Sequence, residues 1–136
     1  MDDEPIINGR YILQEEIGRG PVGILYRAFD RTLNHNVAIK AIHPHWDSLY
    51  ERIAQKVHAW SQLKHDNIVT IHSIELHEPT PIFVMELLEH ESLGRRLWRS
   101  HRMTPRYALS IGHQLSLALV CAHSRASYTA TSTFPP

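Results

Sequence analysis

Two groups of residues in this chain have the types and spacing that handle phosphate. Gly18-Arg19-Gly20-Pro21-Val22-Gly23 sets three glycines within six positions. Glycines, lacking Cβ atoms, let a hairpin backbone come close to phosphate oxygens. Val37-Ala38-Ile39-Lys40 follows as a β-prone run that ends in a cation, about twenty residues further on. A lysine in that place supplies a point charge to the same oxygens. The glycine string alone also suits an ordinary hairpin turn, and Lys40 alone suits a solvated strand. A dinucleotide-binding turn is set aside. It needs a helix directly after the glycines and an acid about 20 positions on, whereas Ile24 to Phe29 continues as a strand.

The elements that must position these groups follow from periodicity and breakers. Residues 1–10 read as a leader. Tyr11 to Ile17 is β-prone and enters the glycine turn; Ile24 to Phe29 leaves it, and Asn34-His35-Asn36 marks the next turn. Val37 to Ile42 is a third strand, whose period of two puts Ala38 and Lys40 on one face and Val37 and Ile39 on the other. Pro44 breaks the chain. Ser48 to Leu63 is expected to be helical, with Leu49, Ile53, Val57 and Trp60 at three- and four-residue spacing. Ile68 to Ile74 and Ile82 to Glu86 complete five strands, and Ser92 to Arg99 is a short helix. Thr104 is the expected N-cap, and Pro105 the first residue, of a helix reaching about Ser124. Trp60 and the leucines of that helix are expected in the core. From Ala126 the composition changes to small residues, hydroxyls and a final Pro135-Pro136.

Composition excludes several function classes. A length of 136 residues suits one domain, and 43% hydrophobic residues suit a packed core rather than disorder. Fourteen basic residues balance 14 acidic ones, which argues against nucleic acid or an anionic membrane as partner. The single Cys121 excludes an internal disulfide. The start, Met1-Asp2-Asp3-Glu4, is acidic and unlike a secretory signal. No run reaches the roughly 18 apolar residues of a membrane span, so a cytoplasmic protein is expected. Eleven histidines raise the question of a metal. His43 and His45 are close, and His72 and His77 flank a strand end, but no ligand spacing accompanies them and loop histidines are the simpler reading.

The glycine string and the strand lysine, in this order, resemble the start of a protein kinase domain. Leu63-Lys64-His65-Asp66-Asn67-Ile68-Val69 is similar to the segment after that domain's first helix. Phe83-Val84-Met85-Glu86 is similar to its fifth strand running into the hinge, and Ser92-Leu93 with Pro105 to His123 to the start of its second lobe. Tyr11 to Arg125 thus resembles bacterial-type serine/threonine protein kinases. The resemblance implies an α+β fold: an N-terminal lobe of five antiparallel strands and one helix over residues 11–86, then the hinge and two helices of an incomplete second lobe over 87–125. It implies ATP as the bound nucleotide and magnesium in the family. It also implies roles: Gly18, Gly20 and Gly23 over the phosphates, Ile17, Leu25 and Ala38 around adenine, Lys40 on the α- and β-phosphates, Met85 as gatekeeper, and Glu86 and Leu88 at the hinge.

Departures from the family pattern shape the functional reading. Pro21 has no backbone N–H, and Val22 stands where the family prefers a small or aromatic tip. The helix glutamate that pairs with the lysine is missing. Counting back nine residues from His65 reaches Lys56, and a gapped alignment reaches Ile53; Glu51, the nearest acid, is on a different helix face from Lys56. No His-Arg-Asp catalytic loop and no Asp-Phe-Gly metal motif occurs, so no catalytic base and no metal ligand is assigned.

Residues 126–136 read as a tail foreign to the family. Where the family continues with a string close to Gly-Ile-Val-His-Arg-Asp-Leu, this chain has Ala126-Ser127-Tyr128-Thr129-Ala130-Thr131-Ser132. Codons for those seven residues, read from one base earlier, permit Gly, Ile, Val, His, Arg, Asp and Leu in that order. The triplet after them permits Asn but not the family's usual Lys. A base lost near codon 125 accounts for all seven matches.

Three functions are therefore weighed. The first is an incomplete or frame-damaged serine/threonine kinase whose chain alone transfers no phosphoryl group. The second is a non-catalytic, pseudokinase-like module that holds nucleotide or docks on another protein, such as a partner covering the apolar last helix. The third is a non-functional translation product.

Overall fold

The computed structural model describes residues 4–44, 50–77 and 79–125. His45, the Ser48 and Leu49 expected to open the first helix, and the tail from Ala126 lie outside the described residues. Among the described residues the order is β1 (Ile6–Ile7), β2 (Tyr11–Arg19), β3 (Gly23–Asp30), β4 (His35–Ile42), α1 (Tyr50–Ser61), β5 (Ile71–His77), β6 (Thr80–Glu86), α2 (Leu93–Ser100) and α3 (Pro105–Arg125). They form two compact units, one over residues up to 62 and 69–87, the other over 63–68 and from 88 onward.

The first unit is an antiparallel sheet in the order β1-β2-β3-β4-β6-β5, with α1 against β5. The α+β class stands, but the sheet has six strands, not the expected five. The extra strand lies in the segment read as leader. Asn8 (φ 52°) and Gly9 (φ 67°) both take the left-handed region, and the Arg10 N–H donates to the Ile7 carbonyl at 3.0 Å. Two such residues make the tight turn that suits the twist of a hairpin, so Ile6 and Ile7 fold back on Ile12 and Tyr11.

Alternation along the strands divides the core between the sheet's faces. Val37, Ile39, Ile82 and Val84 join Ile7, Tyr11 and Ala28 in one buried cluster. Ile42 and Phe83, one residue out of phase with those, join Val57 of α1 and Ile71 in the other. A network of buried and part-buried polar groups closes one end of the sheet. Asp30, 1% exposed, accepts from Arg10 Nε (2.9 Å) and Nη2 (2.7 Å) and from the Thr32 and Leu33 N–H groups. The Arg10 guanidinium, helped by those two N–H groups, holds the Asp30 carboxyl down to about 2. Tyr11 Oη donates to Glu75 Oε1 at 2.6 Å, and burial, followed by that bond, pushes the phenol up to about 12.

The second unit contains the two later helices. Ser92 caps α2 by accepting from the Arg95 N–H at 3.2 Å, and His101 ends it at φ 54°. Thr104 Oγ1 accepts from the Tyr107 N–H at 3.2 Å as the N-cap of α3, with Pro105 first in the helix. The leucines expected in a core are not buried. Leu109, Leu115, Leu117 and Leu119 are all exposed.

Strand β5 begins three residues later than its apolar run suggests. Ile68 is held in a turn by its N–H to the His65 carbonyl (3.1 Å). Pairing with β6 then carries β5 on to His77.

Candidate functional site

The glycine string forms the tip between β2 and β3. The Gly20 N–H donates to the Gly23 carbonyl at 3.0 Å, which leaves Pro21 and Val22 as the two turn residues. Proline's fixed φ suits the first of these. Gly23 has no room for a side chain: a Cβ there would lie 2.1 Å from the Ala41 carbonyl oxygen. Gly18 and Gly20 have no such restriction. Val22 packs its side chain down on the cluster of Ile42, Val57, Ile71 and Phe83.

His43, just past the end of β4, fastens this tip. Its backbone N–H donates to the Val22 carbonyl at 2.9 Å, and its Nε2 lies 3.1 Å from the Gly20 carbonyl. A carbonyl only accepts, so Nε2 carries the proton.

Lys40 stands on β4 opposite Leu25 of β3 and Phe83 of β6, so the sheet register sets its position on the strand face shared with Ala38 and Ile42. It is half-buried and lines a cavity of about 380 Å³ beneath the glycine tip. Gly18, Gly20, Gly23, Leu25, Lys40 and Met85, six of the expected site residues, all line this cavity. Ile17, Ala38, Glu86 and Leu88 do not. Ile17 and Leu88 are exposed, and Ala38 is buried between Arg27 and Met85 in the register. Glu86 is occupied locally: its Oε1 accepts from the Thr70 N–H at 2.7 Å, and its own N–H donates to the Thr70 carbonyl at 2.9 Å.

Helix α1 gives the cavity Ile53, Val57 and Trp60. Trp60, expected in the core, is a partly exposed wall residue here. Of the two candidates for the missing acid's position, Ile53 lines the cavity, while Lys56 is exposed and does not. Among the described residues no acid pairs with Lys40. Arg19 also lines the cavity, but its guanidinium is held by Glu16 through Nε–Oε1 (2.9 Å) and Nη2–Oε2 (2.8 Å).

The arrangement combines an apolar chamber, a close-approach backbone lid and one ammonium group with no acid partner among the described residues. That suits a flat apolar group carrying an anion. No acid lines the chamber, and among the described residues no three His, Cys, Asp or Glu side chains converge. Sequence reasoning missed the roles of His43 and Val22. Their contacts are tertiary, and only the apolar tip residue in place of a small one hinted at them.

Comparison with known proteins gives a consistent picture. The family model described as protein kinase domain matches residues 11–127. The chain is 31% identical over 126 residues to the serine/threonine-protein kinase PknA of Mycobacterium tuberculosis, covering 87% of this chain and 29% of the relative. It is 30% identical over 120 residues to the serine/threonine-protein kinase PrkC of Bacillus subtilis, covering 86% of this chain and 18% of the relative. The chain therefore spans less than a third of the length of these curated relatives. Among solved structures, the PknI kinase domain of Mycobacterium tuberculosis matches with a TM-score of 0.78 at 18% identity, over 92% of this chain and 52% of that one. At that identity the likeness speaks for the fold.

Proposed function

The chain belongs to the protein kinase domain family, and from that premise we propose that it is the ATP-holding portion of a bacterial-type serine/threonine protein kinase acting in the cytoplasm. The observation that carries this reading is the convergence of the glycine tip and Lys40 on one cavity. The apolar walls, Leu25 and Met85 among them, suit a purine. Lys40 suits a phosphate oxygen, and the lid keeps water from the anion it covers.

This chain alone transfers no phosphoryl group. Transfer needs a base to orient the acceptor hydroxyl and ligands to hold magnesium, and neither the His-Arg-Asp nor the Asp-Phe-Gly string occurs in the sequence. No residue is assigned to magnesium, and no step is derived through it. The shifted reading of codons 126–132 permits His-Arg-Asp, which supports a lost base near codon 125. Sequencing the locus tests this: free bases that disallow His-Arg-Asp in the shifted frame contradict it.

A second reading, a pseudokinase-like module that holds nucleotide without catalysis, is favoured by one observation: Ile53 lines the cavity where an acid would hold Lys40. The two readings separate on restoring the shifted frame. A kinase then phosphorylates a generic protein substrate with magnesium-ATP, and a module does not. Purified chain as written should be stabilised thermally by ATP and show no transfer. Robust transfer by this chain overturns the proposed inactivity, and no nucleotide effect on stability overturns nucleotide holding.

A further inference from the structure

We infer that this cavity grips the nucleoside and a single phosphate, and that further phosphates add almost nothing to affinity. The inference rests on nucleotide holding and names which nucleotides the site prefers.

Few donors at the tip are free to meet phosphate oxygens. Phosphate lids work by aiming uncommitted backbone N–H groups and cations at oxygens. At this tip the Gly20 N–H is spent on the Gly23 carbonyl at 3.0 Å. Pro21 has no N–H to give. The Val22 N–H is thus the one uncommitted donor of residues 20–22 among the described residues. The tip also cannot readily turn to expose others. His43 ties both the Gly20 and the Val22 carbonyls, Val22 is packed on the apolar cluster, and the Ala41 carbonyl fills the space a Gly23 side chain would need.

The cations give the same count. Arg19 and Lys40 are the two that line the cavity. Arg19 is committed to Glu16 through two bonds of 2.9 and 2.8 Å. Lys40 alone has no acid partner among the described residues. One ammonium and one amide suffice for one phosphate. A second and a third phosphate would meet solvent, an ion-paired arginine and apolar walls, and would gain little.

The test is a ladder of ligands (adenosine, AMP, ADP, ATP) titrated calorimetrically into the full chain with EDTA present. The expected step from adenosine to AMP is about tenfold, the worth of one charge-assisted contact, and ADP and ATP fall within about threefold of AMP. Lys40→Met should bring AMP back to adenosine. Two variants should steepen the ladder: Pro21→Ser, which adds a tip N–H, and Glu16→Gln, which releases Arg19. In either, ATP gains several-fold over AMP. A wild-type ladder that already climbs about tenfold at each phosphate overturns the inference and leaves nucleotide holding intact. If both variants leave the ladder flat, the donor count is wrong. If none of the four ligands binds, nucleotide holding fails and the inference falls with it.

Discussion

The two ends of the sheet in the first unit treat charge in opposite ways. At the β1 end the buried and part-buried polar groups are paired. Asp30 takes two bonds from Arg10 and two from backbone N–H groups, and Glu75 takes bonds from Tyr11, Ser73 and Asn8. At the glycine end Lys40 is half-buried beside an apolar chamber with no acid opposite it among the described residues. Burial of a charge is costly unless it is paired. The first end therefore fastens the fold, and the second keeps a charge available for a ligand. The contrast separates residues that hold the sheet from those that act, even though both sets look alike as isolated charges in the sequence.

Mutations should divide along the same line. The largest effect belongs to Asp30→Ala, which strands the Arg10 guanidinium and two N–H groups. Because Arg10 is about one-third exposed, the expected loss is about 2–4 kcal/mol by urea unfolding, with any nucleotide affinity unchanged in the folded fraction. The same contact sets an acid dependence. Asp30 has a folded value of about 2 against an ordinary 3.8. Its contribution is full above the unfolded value and fades as pH falls through the range between about 4 and 2. The stability gap between the chain and Asp30→Asn should close over that window, and a gap constant with pH would contradict the network.

Gly23→Ala comes next. The new Cβ meets the Ala41 carbonyl, so the β3 and β4 backbones must part. We expect a loss of about 1–3 kcal/mol together with weakened nucleotide binding, the one variant to strike both properties. Gly20→Ala, where the space is open, is its control.

Lys40→Met sharpens the comparison further. Stability should stay within about 0.5 kcal/mol of the parent, since no ion pair is lost, while affinity for a phosphorylated nucleoside falls about tenfold. A loss of stability equal to that of Asp30→Ala would erase the distinction between the two ends. The smallest expected effect is that of Ile53→Glu. An acid on that cavity wall would restrain the ammonium group, and a change of about twofold in nucleotide affinity is expected, with a double-mutant cycle against Lys40→Met giving a coupling of about 0.5–1 kcal/mol.

How much of this was readable beforehand depends on the range of the interactions. Thr104 announced its helix because a cap acts within one turn. The alternation from Val37 to Ile42 gave both sheet faces, since period two is a property of the backbone itself. Asn8-Gly9 carried an equally local hairpin signal, but a strand of only two residues beside it is too short to show a periodic pattern. The choice between Ile53 and Lys56 needed the helix phase against β5 and β6. The clamp by His43 needed the end of β4 brought beside a turn twenty-three positions earlier. Spacing along the chain encodes neither. The exposed leucines of α3 show the same limit: their positions state that the helix is apolar on more than one side, not which residues cover it.

The central claim is that Lys40 and the glycine tip share one nucleotide, and the chain's composition makes it directly testable. Lys40, Lys56 and Lys64 are its only lysines. An acyl phosphate of AMP transfers its acyl group to an amine held near the phosphate, and peptide mass spectrometry then reports which lysine was modified. The account predicts a label on Lys40 that excess AMP or ATP suppresses, with only background at exposed Lys56 and Lys64. Equal labelling of all three, or a Lys40 label indifferent to added nucleotide, would contradict it.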